Sequence, residues 1–235
     1  MSKYKDLKNR CLKANLRLNL NQLSIMTFGN VSIIDRDNEV IAIKPSGVKY
    51  DLMKENDIVV LDFNGNIIEG ELNPSSDTKT HIYLYKKWQN IKSICHTHST
   101  YAVAWSQSLK SVPILGTTHA DHLTEEIPCT PPMSDSLILG DYEYNTGVQI
   151  VNYFEKNNLN HNNIMMVLVG SHGPFTWGGS ENESVNNSII LEELCKMATL
   201  TLTINPNIKK LKKSLIKKHY ERKHGNNAYY GQKNP

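Results

Sequence analysis

The sequence has no unbroken apolar run of the length that a membrane helix or a secretory leader needs. Its opening, MSKYKDLKNRCLKANLRLNL, alternates charged and apolar residues at the spacing of a helix over 3–17. Those absences predict a cytoplasmic protein with no membrane partner. Cysteine is sparse as well. Cys11, Cys95, Cys129 and Cys195 form neither a C-x-x-C pair nor a dense framework, so they read as free thiols packed like small apolar residues in a reducing compartment. No internal repeat, low-complexity segment or linker divides the chain, and 235 residues suit one α/β domain.

Net charge is small, +3. Much of the basic excess lies in IKKLKKSLIKKHYERKH, residues 208–224, where eight Lys/Arg face one Glu. Leu211, Leu215 and Ile216 at helical spacing predict a helix there with one buried stripe and a solvated basic face. No stacking aromatics or nucleic-acid motif accompany the lysines, so no nucleic-acid partner is expected, although a phosphorylated small substrate would profit from the field.

Local patterns place the elements. VSIIDRDNEVIAI and DIVVLDFNGNIIEG read as hairpins, the second turning at Asn64-Gly65. SSDTKTHIYLYKKWQ predicts a helix over about 78–89 with Asp77 at its start. A strand over 93–97, a helix over 99–109 and a short extended run near SVPIL follow. NTGVQIVNYFEKNN then reads as a helix, IMMVLVG as a buried strand, and ESVNNSIILEELCKMATLTLTI as a long helix.

In SICHTHSTYAVAWSQ, a strand puts His96 and His98 on one face and Cys95 and Thr97 on the other. That spacing suits a metal, and equally two ordinary histidines at a strand end. His172, in VLVGSHGPFTWG, follows a buried strand in a glycine-flanked loop. With Asp77, the three histidines have the composition of a catalytic zinc site with an open position, and the same donors suit manganese or cobalt. Three turns, FGN at 28–30, PSG at 45–47 and PSSD at 74–77, offer amides and hydroxyls to an anion, with Lys44 adding charge. Each alone is an ordinary turn.

Taken in order, TFGNVS, IKPSGVKYD, PSSDTKTH, HTHSTYAVAWSQ, GTTHADH, IPCT, SHGPFTWG and KHYERKHGNNAYYGQ resemble the class II aldolase/adducin family from about residue 7 to 232. The tyrosine-bearing last segment resembles its sugar-phosphate 4-epimerase branch. The resemblance implies a single α/β domain, 1–235, of three layers, a central, mostly antiparallel sheet flanked by helices. It implies a C-terminal helix and tail, about 208–235, completing a neighbouring active site in a homotetramer. It assigns Asp77, His96, His98 and His172 to one divalent metal per subunit, zinc first. Gly29, Asn30, Ser46, Gly47, Ser75 and Ser76 would hold the sugar phosphate, with Lys44 lining the same site. Asp121 and Tyr230 would form the acid/base pair, Tyr230 serving a neighbour's metal. His219 reads either as a substrate-side group or as a plain helix histidine, and His119 and His122 as structural or as supports behind the metal ligands. His122 stands where the family shows an aromatic, and PPMSDSLILGDYE differs in detail, so the rim of the site is less defined.

The implied activity is an isomerase of carbohydrate metabolism, as in arabinose catabolism, interconverting L-ribulose 5-phosphate and D-xylulose 5-phosphate. The C4 hydrogen is not alpha to the C2 ketone, which rules out direct deprotonation. Retro-aldol cleavage of C3–C4 and re-addition is open instead, given a Lewis acid for the enediolate fragment and two proton-transfer groups on opposite faces. The alternatives are an aldolase that releases its fragments, as with L-fuculose 1-phosphate, and an adducin-like scaffold. The shorter carboxylate of Asp77, where the aldolase branch commonly has Glu, favours the epimerase. The intact histidine set argues against the scaffold.

Overall fold

Both turn signals close hairpins. In a computed structural model, which describes residues 2–232, helix α1 (Lys5–Leu20) leads into strand β1 (Asn30–Asp35), which returns as β2 (Val40–Ile43) with Asp35 opposite Val40. Strands β3 (Val59–Asp62) and β4 (Ile67–Glu69) follow. At their turn Gly65 takes a φ of +87° while the Asp62 carboxylate accepts the amides of Asn64 and Asn66. The chain continues through α2 (Thr78–Lys87), β5 (Ser93–His96), α3 (Thr100–Ser108) and two single turns, α4 (Thr117–Ala120) and α5 (Asp135–Ile138). It ends with α6 (Tyr142–Lys156), β6 (Met166–Val169), β7 (Gly173–Gly178), α7 (Glu181–Ile204) and α8 (Lys213–His224). Met1 and residues 233–235, the ends of the expected 1–235 unit and of its 208–235 arm, lie outside the described residues.

The strands form one sheet in the order β4-β3-β2-β1-β5-β7-β6, antiparallel at every pairing. Alternation along β1 sorts two cores. Val31 and Ile33 pack with Leu7, Cys11 and Leu18 of α1 on one face, and Ile34 packs with α2 and α6 on the other. There Trp177 meets Trp88 and Phe154, with ring centroids 4.7 and 5.5 Å away. A third cluster seals α3 and α7 against β6. The chain is thus the expected α/β fold, an antiparallel sheet with helices on both faces. No helix among the described residues is long and apolar enough to cross a membrane.

Several elements differ from expectation. The local pattern does not announce β7, because GPFTWG, with glycine at both ends and proline inside, carries loop signals. It nevertheless forms a fully buried strand between β5 and β6. β5 stops at His96, so His98 reaches its place from the loop before α3 instead of from the strand. The C-terminal helix starts at Lys213, since the Leu211 amide is spent on the Ile114 carbonyl. None of its residues is buried, Leu215 is exposed and Leu211 and Ile216 are half-buried, so the described residues cover the expected apolar stripe only in part.

Candidate active site

The sheet sets a row of side chains facing α2. Asn30 pairs with His96 across β1 and β5, and His96 with Phe175 across β5 and β7. Phe175 floors the row, stacked on the His96 ring at 4.2 Å and 18°. The β6–β7 turn brings His172 alongside, with ring centroids 4.8 Å from His96 and 5.3 Å from His98. That turn passes so close that a Cβ on Gly173 would lie 2.9 Å from the Thr97 carbonyl oxygen.

Hydrogen bonding fixes the proton on His96. Its Nδ1 lies 2.8 Å from the Pro174 carbonyl, which only accepts, so Nδ1 donates and Nε2 presents its lone pair. His98 Nε2 stands 3.1 Å away. One ligating atom from each of His96, His98 and His172 lies within 4.8 Å of the others. Burial, then the neighbouring His96, lowers the pKa of His98 and takes His172 down to about 3, which leaves both as the neutral imidazoles that bind metal. Tetrahedral ligands at ~2.0–2.1 Å from zinc stand ~3.3 Å apart, close to the His96–His98 separation.

Asp77 supplies the carboxylate. It is the N-cap of α2, yet its side chain caps no amide. Instead Oδ2 accepts from Asn30 Nδ2 at 2.7 Å and lies 3.9 Å from His96 Nε2. Burial pushes this carboxyl up, but His96, His81, His172 and the Asn30 amide together hold it below its ordinary value. Three imidazoles and one ionised carboxylate fit a divalent cation.

The donor set opens on a cavity of about 330 Å³. Gly29 and Asn30, Ser46 and Gly47, and Ser75 and Ser76 line it from the three predicted turns, with Lys44 between them. Ser75 Oγ accepts from Asn30 Nδ2, which leaves its own proton to give. Lys44 is 1 % exposed and spends two N–H groups on the Thr27 and Pro45 carbonyls. Burial lowers its pKa to about 8. The expected metal and phosphate residues therefore meet in one place.

Asp121, His219 and Tyr230 are not among the residues lining that cavity. They form a second cluster. Arg222 grips Asp121 with both ends of its fork, at 3.0 and 2.7 Å, and His219 Nδ1 lies 3.0 Å from Asp121 Oδ1. Partial burial raises the Asp121 carboxyl, and the bonds from Arg222 and His219 more than reverse that. Tyr230, 61 % exposed, lies over the Arg222 and Lys223 charges and donates its backbone N–H to the Arg222 carbonyl. Arg222 thus joins the two residues expected to act as a pair. His119 is buried, with Nε2 3.2 Å from the Glu125 carbonyl oxygen.

Sequence reading missed Tyr142, whose hydroxyl lies 3.3 Å from His172 Nδ1, and Glu143 and Phe28, which also line the cavity. A tyrosine and a glutamate in the first turn of an amphipathic helix carry no signal of a site.

Residues 9–199 match the family described as the class II aldolase and adducin N-terminal domain. Among solved structures, an L-fuculose 1-phosphate aldolase superposes with a TM-score of 0.76 at 25% identity, covering 94% of this chain and 97% of that one. YgbL of Klebsiella pneumoniae, whose description spans aldolase, epimerase and decarboxylase, gives 0.68 at 21% identity over 93% and 99%. The L-fuculose-1-phosphate aldolase of Thermus thermophilus gives 0.66 at 19% over 87% and 98%. These likenesses carry the family and its fold, and leave cleavage and epimerisation on an equal footing.

Proposed function

The chain belongs to the class II aldolase and adducin family, and from that premise we propose that it is a divalent-metal-dependent L-ribulose-5-phosphate 4-epimerase. The observation that carries the reading is the convergence of His96, His98, His172 and Asp77 on a cavity whose other walls are three anion-accepting turns. Zinc is the ion these donors suit first. Held by these four residues, a divalent ion would supply Lewis acidity to the retro-aldol step.

The chain's own residues do the rest. The hydroxyls of Ser46, Ser75 and Ser76 and the Lys44 ammonium take the phosphate oxygens, anchoring the two-carbon aldehyde fragment while it turns its opposite face to the three-carbon fragment. Loss and return of the proton on the C4 oxygen needs one group on each face. Asp121, ionised by its Arg222 and His219 contacts, serves as one and the Tyr230 phenol as the other. Because that pair lies at the end of α4 and in the segment after α8, away from its own chain's cavity, the reading requires a neighbouring copy to deliver it, as in a homotetramer with sites at its interfaces.

A second reading, an aldolase that releases both fragments, is favoured by the L-fuculose 1-phosphate aldolase neighbour at 25% identity. One assay separates them. Metal-loaded protein is given L-ribulose 5-phosphate, and D-xylulose 5-phosphate and free glycolaldehyde phosphate are followed together. Xylulose phosphate without free aldehyde, much slowed in Tyr230→Phe, supports the epimerase. Free aldehyde as the main product makes the chain an aldolase, and no turnover with any divalent ion sinks both readings for this substrate.

Lys44 gives the site a pH signature. Its folded pKa of about 8 lies below the unfolded value of ~10.4. Between the two the unfolded chain holds the extra proton, so stability rises with pH across that window. Anion binding runs the other way, because it needs the ammonium. The Kd for inorganic phosphate is expected to climb toward tenfold per pH unit above about 8, and Lys44→Met to bind weakly at every pH. Calorimetric titration from pH 7 to 9.5 checks this, and a flat wild-type profile would remove Lys44 from the phosphate site.

A further inference from the structure

Two buried polar atoms behind the donor set have no partner among the described residues, Asn30 Oδ1 and His81 Nε2. An unpaired buried polar group is costly, so two on one face call for a reason. His81 is fully buried one helical turn after Asp77, on the same side of α2. Its ring meets Phe175 edge-on, the same phenyl on which His96 stacks. Ser32, two residues after Asn30 on the same face of β1, places Oγ 2.7 Å from His81 Nδ1 and 2.8 Å from Tyr85 Oη.

Two proton arrangements satisfy the Tyr85–Ser32–His81 chain. In one, His81 Nδ1–H donates to Ser32 Oγ, which leaves a bare, buried Nε2 lone pair in the field of the Asp77 carboxylate. In the other, Tyr85 donates to Ser32 Oγ and Ser32 to Nδ1, which leaves Nε2–H as a buried donor in the field of that carboxylate. The second suits the negative charge of Asp77, and although it turns the Tyr85 proton away from the Ser32 carbonyl 3.1 Å off, that carbonyl keeps the Ser93 Oγ donor at 2.8 Å.

We propose that His81 is a positioning residue of the metal site. Its Nε2–H reaches Asn30 Oδ1, the other buried atom without a partner, through one water, and so holds the Asn30 amide with Nδ2 on Ser75 Oγ and Asp77 Oδ2. The Asp77 carboxylate is thereby kept off the amides of its own helix and turned to the histidines. The inference rests on the reading of Asp77 as a metal ligand. It extends the donor set to an outer layer of Asn30, His81, Ser32 and Tyr85, of the kind whose loss typically weakens metal binding 10–100-fold.

The test uses Co²⁺ as probe, titrated into metal-free protein against a competing chelator, with visible absorption and thermal unfolding recorded in parallel. His81→Asn keeps a polar atom for Ser32 and lacks the outer nitrogen. It is expected to bind Co²⁺ 10–100-fold more weakly, with an altered spectrum. His81→Gln, whose amide reaches the Nε2 position, is expected to recover most of the affinity. Equal losses in both variants, or unchanged affinity in His81→Asn, overturn the proposal. Failure of the wild type to bind Co²⁺ overturns the metal reading itself. ¹⁵N NMR of histidine-labelled, metal-free wild type decides the tautomer independently of whether either variant folds. A proton on Nε2 of His81 supports the proposal, and one on Nδ1 refutes it.

Discussion

Dialysis against a strong chelator is expected to abolish turnover, a divalent ion to restore it, and His96→Ala to leave a protein that no ion restores. The loss should reach at least about 10³-fold in kcat/KM, since several kcal/mol of charge stabilisation disappear with the ion. His96 is the histidine to remove because it is central. It pairs with Asn30 and with Phe175, its Nε2 is 3.1 Å from His98 and 3.9 Å from Asp77, and its outer nitrogen is tied to the Pro174 carbonyl. Initial rates on L-ribulose 5-phosphate, with metal content by mass spectrometry, give the answer. Undiminished activity in metal-free protein would refute the proposed chemistry.

Gly29→Ala should be nearly as severe while touching no donor atom. Gly29 has a φ of +78°, and a Cβ built on it would stand 2.8 Å from the carbonyl oxygen of His96, a backbone atom that cannot rotate away. The Tyr50 hydroxyl holds the turn in place through the carbonyls of Phe28 and Gly29, at 3.0 and 2.9 Å. Left-handed backbone costs a side-chain-bearing residue ~1–3 kcal/mol, and the clash adds to it. A total of ~2–4 kcal/mol corresponds to a Tm lower by roughly 5–12 °C for a domain of this size. Relief of the clash has to part the start of β1 from the end of β5, so metal affinity should fall with stability. Thermal unfolding and Co²⁺ titration of the variant check both, and wild-type values in each would show that the turn yields freely.

What the sequence made legible was local. Asn64-Gly65 announced its hairpin and Asp77 the start of its helix, because turn formers and helix-start residues are written in adjacent positions, while the two-residue spacing of His96 and His98 left a metal pair and two ordinary histidines equally open. β7 was hidden, since the reasons it forms a strand are β5 and β6 on either side, not its own glycines and proline. Tyr142, Glu143 and His81 were hidden in the same way. Each sits in an unremarkable helical pattern and gains meaning only from a residue distant in the chain. The basic run at 208–224 misled in the opposite direction, because a helical period predicts an apolar stripe but not what will cover it. Leu215 stays exposed, and Asp121 with Tyr230 lies beside its helix on a surface that the proposed neighbour would complete.

The antiparallel pairing that builds the site also sets when it can exist. Asn30 meets His96 and His96 meets Phe175 only after two long stretches of chain have closed, and such non-local contacts come at a high entropic cost during folding. No fragment ending before His172 owns the complete donor set. An ion captured at the end of folding has no part in the transition state, so it slows unfolding without hastening folding. The cation would then act less as a nucleus for the chain than as a latch fastened after the chain has closed, lengthening the lifetime of a native state it did nothing to find.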